Sequence, residues 1–244
     1  MAKTTTTTRV PLTRQRVLDA AIEIVDREGL DALSMRKLGT RLGVEAMSLY
    51  KHVANKDAVL DGLVEHLWTD VHNAITQHDS WDARLRSYAH AVRGTMHKHP
   101  QPATLLLSRC MLPTPLLEIY ATLIESLRQA GFDDATAART VRGMSGFVLG
   151  YVSTELYCLG VWRTTGHGAP EAAKADPAPP AASSTNALLW LGRILPPGTP
   201  ARLVNAALAM IDWDPNEDFD TSLDLAISGL RQLLEENRSS GRTA

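Results

Sequence analysis

Between Ser34 and Lys56 the sequence runs SMRKLGTRLGVEAMSLYKHVANK. Arg36, Lys51 and Lys56 bring cations, Ser48, Tyr50 and His52 bring hydrogen-bonding groups, Glu45 brings an acceptor and Ala46 a bare methyl. No nucleophile, base and orienting acid are arranged here for acyl transfer. Cations and hydroxyls spread along one short stretch suit a different chemistry, holding phosphates and reaching the edges of bases. The charge distribution agrees. Residues 1–56 carry ten Lys/Arg against six Asp/Glu, and the remainder carries 15 against 21. A basic end on an acidic body fits an anion-binding module joined to a domain of another kind.

Those groups need helices to position them. Val17, Leu18, Ala21, Ile22 and Val25 form one apolar stripe, with Thr13 as N-cap and Gly29 as stop. Ser34 caps a second helix carrying Met35, Leu38 and Leu42, and Gly43 permits a sharp turn. A short third helix spans about Glu45 to Lys51. Leu38, Leu42, Val44, Leu49 and Val53 can lock both onto the first helix, which leaves Glu45, Ala46, Ser48, Lys51 and His52 facing outward. This geometry lets a helix enter a major groove. Helix-turn-helix shapes also occur as plain packing, so spacing alone leaves both readings open. Asn55 caps a fourth helix whose start holds Lys56; the free N–H groups and dipole there favour phosphate. Arg36 has the same position on the second helix.

The residues narrow the choice. S-M-R-x-L-x-x-x-L-G-V-x-x-x-S-L-Y-x-H-V-x-N-K, with its core from Leu49 to Lys56, strongly resembles the DNA-binding signature of the tetracycline repressor (TetR) family, over Arg14 to about Val71. The resemblance implies three DNA-binding helices, a connecting fourth helix and a ligand-binding helical domain that dimerises. It places Ala46, Ser48, Tyr50 and His52 on or beside the recognition helix. Ser48 and His52 are expected at base edges or phosphates, and Ala46 at a thymine methyl. Tyr50 matches a position that touches the DNA backbone; a half-buried packing ring is an equal alternative.

Beyond the fourth helix, helical patterns cover Trp81 to Lys98, residues 103–110, Leu116 to Gln129 and Ala135 to about Arg163. Pro100 and Pro102 read as punctuation. Residues 164–184, rich in Pro, Ala, Gly and Ser, read as a flexible loop. Short helices are expected at 186–194 and 200–211, a turn at DWDPNED (212–218), and a last helix through Leu223, Leu230 and Leu234. With no strand pattern, the fold class is all-α. The expected organisation is an arm (1–12), a DNA-binding domain (13–54), an effector and dimerisation domain (55–238) and a tail (239–244).

Trp81 to Arg86, Gly146 to Glu155 and Phe219 to Leu230 look like the effector domain of the tetracycline-repressor branch. That likeness implies a homodimer built from the helices near 135–163 and 219–237; intrachain burial of the same apolar faces is the alternative. It also nominates His72, Tyr88, Val92, Arg109, Met111, Phe147, Tyr151 and Glu155 as ligand contacts. The branch holds a magnesium–drug chelate with a histidine about where Leu106 falls. No histidine lies between His99 and His167, so a different, largely apolar effector is expected. The likeness implies a repressor released from a palindromic DNA operator by a small molecule; an activator would use the same parts, and a small-molecule-binding helical protein without DNA binding is the other alternative.

Cys110 and Cys158 show no zinc spacing, and two cysteines do not make a disulfide scaffold, which points to a reducing, cytoplasmic compartment. No run of about 18 apolar residues predicts a membrane span. Asp212, Asp214, Glu217, Asp218 and Asp220 lack calcium-loop spacing. The sequence therefore predicts no enzyme, no cofactor and no metal.

Overall fold

The structure, a computed structural model, describes residues 11–109, 111–159, 195–211 and 214–240. Residues 1–10 of the arm, the loop over 164–184, the helix expected at 186–194 and residues 241–244 of the tail lie outside them, while the last helix runs on through 239–240, the first two residues of the expected tail. All described elements are helical: α1 (Arg14–Glu28), a 3-10 turn (Leu30–Ala32), α2 (Met35–Leu42), α3 (Ala46–Leu49), α4 (Lys56–Ala74), α5 (Trp81–Lys98), α6 (Pro100–Ser108), α7 (Thr114–Ala130), α8 (Asp134–Cys158), α9 (Ala201–Ile211) and α10 (Pro215–Ser240).

The helix starts follow from their caps. Thr13, Ser34 and Asn55 each accept a hydrogen bond from a backbone N–H three residues on, at 3.2, 3.2 and 2.8 Å. Gly29, Gly43 and Gly131 end their helices with positive φ. α1 buries its stripe of Val17, Leu18, Ala21, Ile22 and Val25 against α2 and α4. α4 also packs on α5, α6 and α7, so one helix belongs to both the N-terminal head and the body. The body centres on α5, α7 and α8. α10 closes it with Phe219, Leu223 and Ile227, all fully buried; each contributes about 1.5–3 kcal/mol of transfer free energy.

Two expected breaks are helix starts. Pro100 and Pro102 sit in the first turn of α6, where proline's missing N–H would have no helical partner. The acidic segment expected as a turn opens α10 instead. Asp214 accepts from the N–H groups of Asn216 and Glu217 at 2.8 and 3.1 Å, and Glu217 and Asp218 complement the dipole in the first turn.

Candidate nucleic-acid interface and effector cavity

α2 and α3 meet with their backbones in contact. A Cβ added at Gly39 would lie 2.8 Å from the Val44 carbonyl oxygen and 3.1 Å from the Ala46 nitrogen, so only glycine fits. Gly43 makes the turn between them in the left-handed conformation (φ 67°, ψ 34°). Leu38 and Leu49 are fully buried beneath this corner, with Val53 nearly so. Sequence reasoning found Gly43 but missed Gly39, whose helical position gives no local sign of the close approach.

The corner turns one face outward. Arg36, Glu45, Tyr50, Lys51 and Lys56 are exposed, and Ala46, Ser48 and His52 are partly so. Tyr50 is 44% exposed, so part of its ring packs on the head and part faces outward. Met47, not nominated from the sequence, is 73% exposed on α3 and joins this face.

The cations of the head divide into two sets. Arg14 pairs with Glu65, Lys37 with Glu28 and Arg41 with Glu23. Among the described ion pairs none involves Arg36, Lys51 or Lys56. Arg27 of α1 likewise has no described carboxylate partner, whereas Lys37 and Arg41, which share α2 with Arg36, are neutralised.

The eight residues nominated for ligand contact do not converge. His72 is exposed at the end of α4, 3.6 Å from Glu118. Tyr88 and Val92 are fully buried in the core. The Tyr88 hydroxyl lies 2.9 Å from that of Ser145, and burial pushes its pKa up strongly. Arg109 clasps Asp57 at 2.7 Å and also Asp61, both on α4. Met111 is half-buried.

Phe147, Tyr151 and Glu155 do come together, along α8. They line a cavity of about 400 Å³ with Met210, Cys158 and Asp218. Tyr151 stands edge-on to Phe219, centroids 5.3 Å apart. At its floor the Glu155 side chain is fully buried and receives Arg93 through two bonds, 2.6 and 3.0 Å. His97 lies 3.1 Å away. Burial raises the Glu155 pKa, but hydrogen bonds and charge from His97 and Arg93 outweigh it and hold the carboxyl below its ordinary value. A second hollow of about 510 Å³ runs between α8 and α10, past Met144, Phe147, Ala226, Leu230 and Leu233. Among the described residues no three metal-ligating side chains converge, and no described helix is long and apolar enough to cross a membrane.

Comparison with known proteins places this architecture. The family model described as "Bacterial regulatory proteins, tetR family" matches residues 17–63. The one described as "Tetracyclin repressor-like, C-terminal domain" matches residues 75–234. An HTH-type transcriptional regulator of Saccharopolyspora erythraea is 33% identical over 156 residues, 64% of this chain; the match spans 64% of that relative's length, just under two thirds. Among solved structures, the Streptomyces coelicolor TetR family protein ActR in complex with actinorhodin superposes with a TM-score of 0.69 at 25% identity, covering 92% of this chain and 99% of that one. BioQ with its natural double-stranded DNA operator gives a TM-score of 0.54 at 28% identity, over 62% of this chain and 92% of that one. With both family models matched in chain order, and the C-terminal one alone spanning most of the sequence, the chain belongs to the TetR family of bacterial regulatory proteins.

Proposed function

We propose that the chain is a cytoplasmic, homodimeric transcription regulator without enzymatic activity, a repressor that grips a palindromic double-stranded DNA operator and leaves it when a small molecule binds the body. The observation that carries this reading is the sorting of cations on the head. Among the described ion pairs none involves Arg36, Lys51 or Lys56, which stand beside an outward recognition helix, while Lys37 and Arg41 are neutralised. Phosphates are the partners such a face lacks. Ala46, Met47, Ser48 and His52 then meet base edges, with Tyr50 and Lys56 on the backbone. The DNA complex of BioQ supports the same use of the fold.

Dimerisation runs through α8 and α10. Leu230 and Leu233 edge the hollow between them, and Leu225 is 71% exposed; a second copy covers these groups in a four-helix contact. Two heads on a two-fold axis reach half-sites about one helical turn, roughly 34–36 Å, apart. The effector enters the cavity of Phe147, Tyr151 and Glu155, whose volume suits a small molecule and whose aromatic wall suits an apolar, ring-containing one. Binding favours a conformer whose heads no longer match the half-sites.

The test is binding of the purified protein to genomic DNA flanking its own gene, at two salt concentrations. A selective complex that weakens as salt rises is expected. Absence of a selective fragment there and in a random-site selection would overturn the regulator reading.

A further inference from the structure

His99 is the junction residue between α5 and α6, and its side chain is only 10% exposed. Its Nδ1 lies 2.7 Å from an Asp26 oxygen on α1. Its Nε2 lies 3.5 Å from an Asp70 oxygen on α4. One imidazole from the body therefore stands between a carboxylate of the head's first helix and a carboxylate of the helix that leaves the head. The other charged or titratable groups facing this cluster are His66 of α4 and Lys98 of α5. The His66 ring stands edge-on to His99, with centroids 6.4 Å apart, and its Nε2 is 3.9 Å from Asp70. Lys98 donates to Asp70 at 2.8 Å. Two side-chain atoms in the cluster are buried without a partner, Nε2 of His99 and Oδ1 of Asp26.

The unpartnered nitrogen matters because of proton count. An ionised carboxylate only accepts, so the short contact to Asp26 requires an N–H on Nδ1. A neutral imidazole has one N–H; with that proton on Nδ1, a bare lone pair at Nε2 points at Asp70. Burial pushes the Asp70 carboxyl up, but the Lys98 hydrogen bond and the charges of Lys98, His66 and His99 hold it below its ordinary value. A lone pair facing a carboxylate makes no bond. The imidazolium has a donor at each end, one facing each carboxylate.

We propose that His99 is a proton-operated clasp: protonated, it ties α1 to α4 and fixes the orientation of the DNA-binding head on the body, and loss of the proton releases the Asp70 tie. It is a positioning residue, far in sequence from the recognition helix. The inference rests on the DNA-binding reading of the head. Its sign is definite. A donor faces each carboxylate while the ring carries two protons, and the donor towards Asp70 is gone when one proton leaves.

The wild-type pH profile alone does not isolate the clasp, since the chain carries other histidines. The experiment compares wild type with His99→Asn, which retains one uncharged donor towards Asp26 and is a favoured N-cap for α6. Operator Kd is measured at constant ionic strength between about pH 5.5 and 8.5, across imidazole titration, and thermal unfolding is followed over the same range. Operator affinity of wild type is expected to fall several-fold more than that of His99→Asn as pH rises. The melting-temperature advantage of wild type is expected to shrink in parallel. Parallel pH profiles in both measurements would overturn the clasp. A melting difference that tracks pH, beside operator profiles that do not diverge, would overturn the positioning role. A pH-dependent melting difference with no operator binding at any pH would instead sink the DNA-binding reading and support the clasp alone.

Discussion

Gly39 approaches Val44 so closely that a methyl on its α-carbon would sit 2.8 Å from the Val44 carbonyl oxygen. The contact is backbone against backbone, so no side-chain rotation relieves it. Gly39→Ala is therefore expected to cost about 1–3 kcal/mol by overpacking and to weaken operator binding at least tenfold, because α3 must shift on α2. Gly94→Ala is the control. Its Cβ would meet nothing within 4 Å in the middle of α5, and the change should stabilise by about 0.4–1 kcal/mol. Thermal unfolding and operator titration of the two variants check both signs.

The division of cations makes a second prediction. Each phosphate neutralised contributes about 0.9 to the slope of log affinity against log salt. Lys56→Ala and Arg36→Ala should each flatten that slope by about one. Lys37→Ala and Arg41→Ala, whose charges already meet Glu28 and Glu23, should leave it nearly unchanged. Equal effects from both sets would remove the argument that ion pairing selects the phosphate contacts.

Much of the head is legible in sequence because its determinants are local. Thr13, Ser34 and Asn55 cap from three residues away, and Gly43 turns within its own residue. The body is less so. Pro100 and Pro102 read as breaks because proline at a first turn and proline in a break look alike without knowing which side is helical. Arg109 is nominated for ligand contact by resemblance; its partners Asp57 and Asp61 lie 52 and 48 positions back, a tertiary pairing with no local signal. Met47 carries no mark that separates it from a core methionine until exposure is seen. Among the residues nominated for ligand contact, Phe147, Tyr151 and Glu155 lie at four-residue spacing on α8 and line one cavity.

Glu155 predicts an acid limit to stability. Its buried carboxylate holds Arg93, which also donates to Asn216 and the Pro215 carbonyl and lies 5.0 Å from the Phe219 ring centroid. The pair thus pins α10 to α5 and α8. Glu155→Gln leaves the guanidinium without its counter-charge, at a cost of about 3–5 kcal/mol, or on the order of 10 °C in Tm. Because the folded-state pKa is lowered, this stability is fully present above the ordinary glutamate value of about 4.3 and is lost as pH falls through the lower folded value. The Tm gap between wild type and Glu155→Gln should close as pH falls below the ordinary glutamate range. A gap independent of pH would show that the charge of Glu155 is not what α10 depends on.

The faces of α10 separate folding from assembly. Phe219, Leu223 and Ile227 are fully buried within the chain, whereas Leu233 is 38% exposed and shares the hollow of Phe147 and Met144 with Leu230. Leu233→Glu puts a charge on the outward face only. The monomer fold should survive, with helical circular dichroism unchanged, while sedimentation shows a monomer at concentrations where wild type is dimeric. Operator affinity should then fall by a hundredfold or more, since one head alone forfeits the second half-site's phosphates and bases. If the variant still sediments as a dimer and binds as wild type does, the subunits meet elsewhere, and the apolar hollow between α8 and α10 would need another occupant.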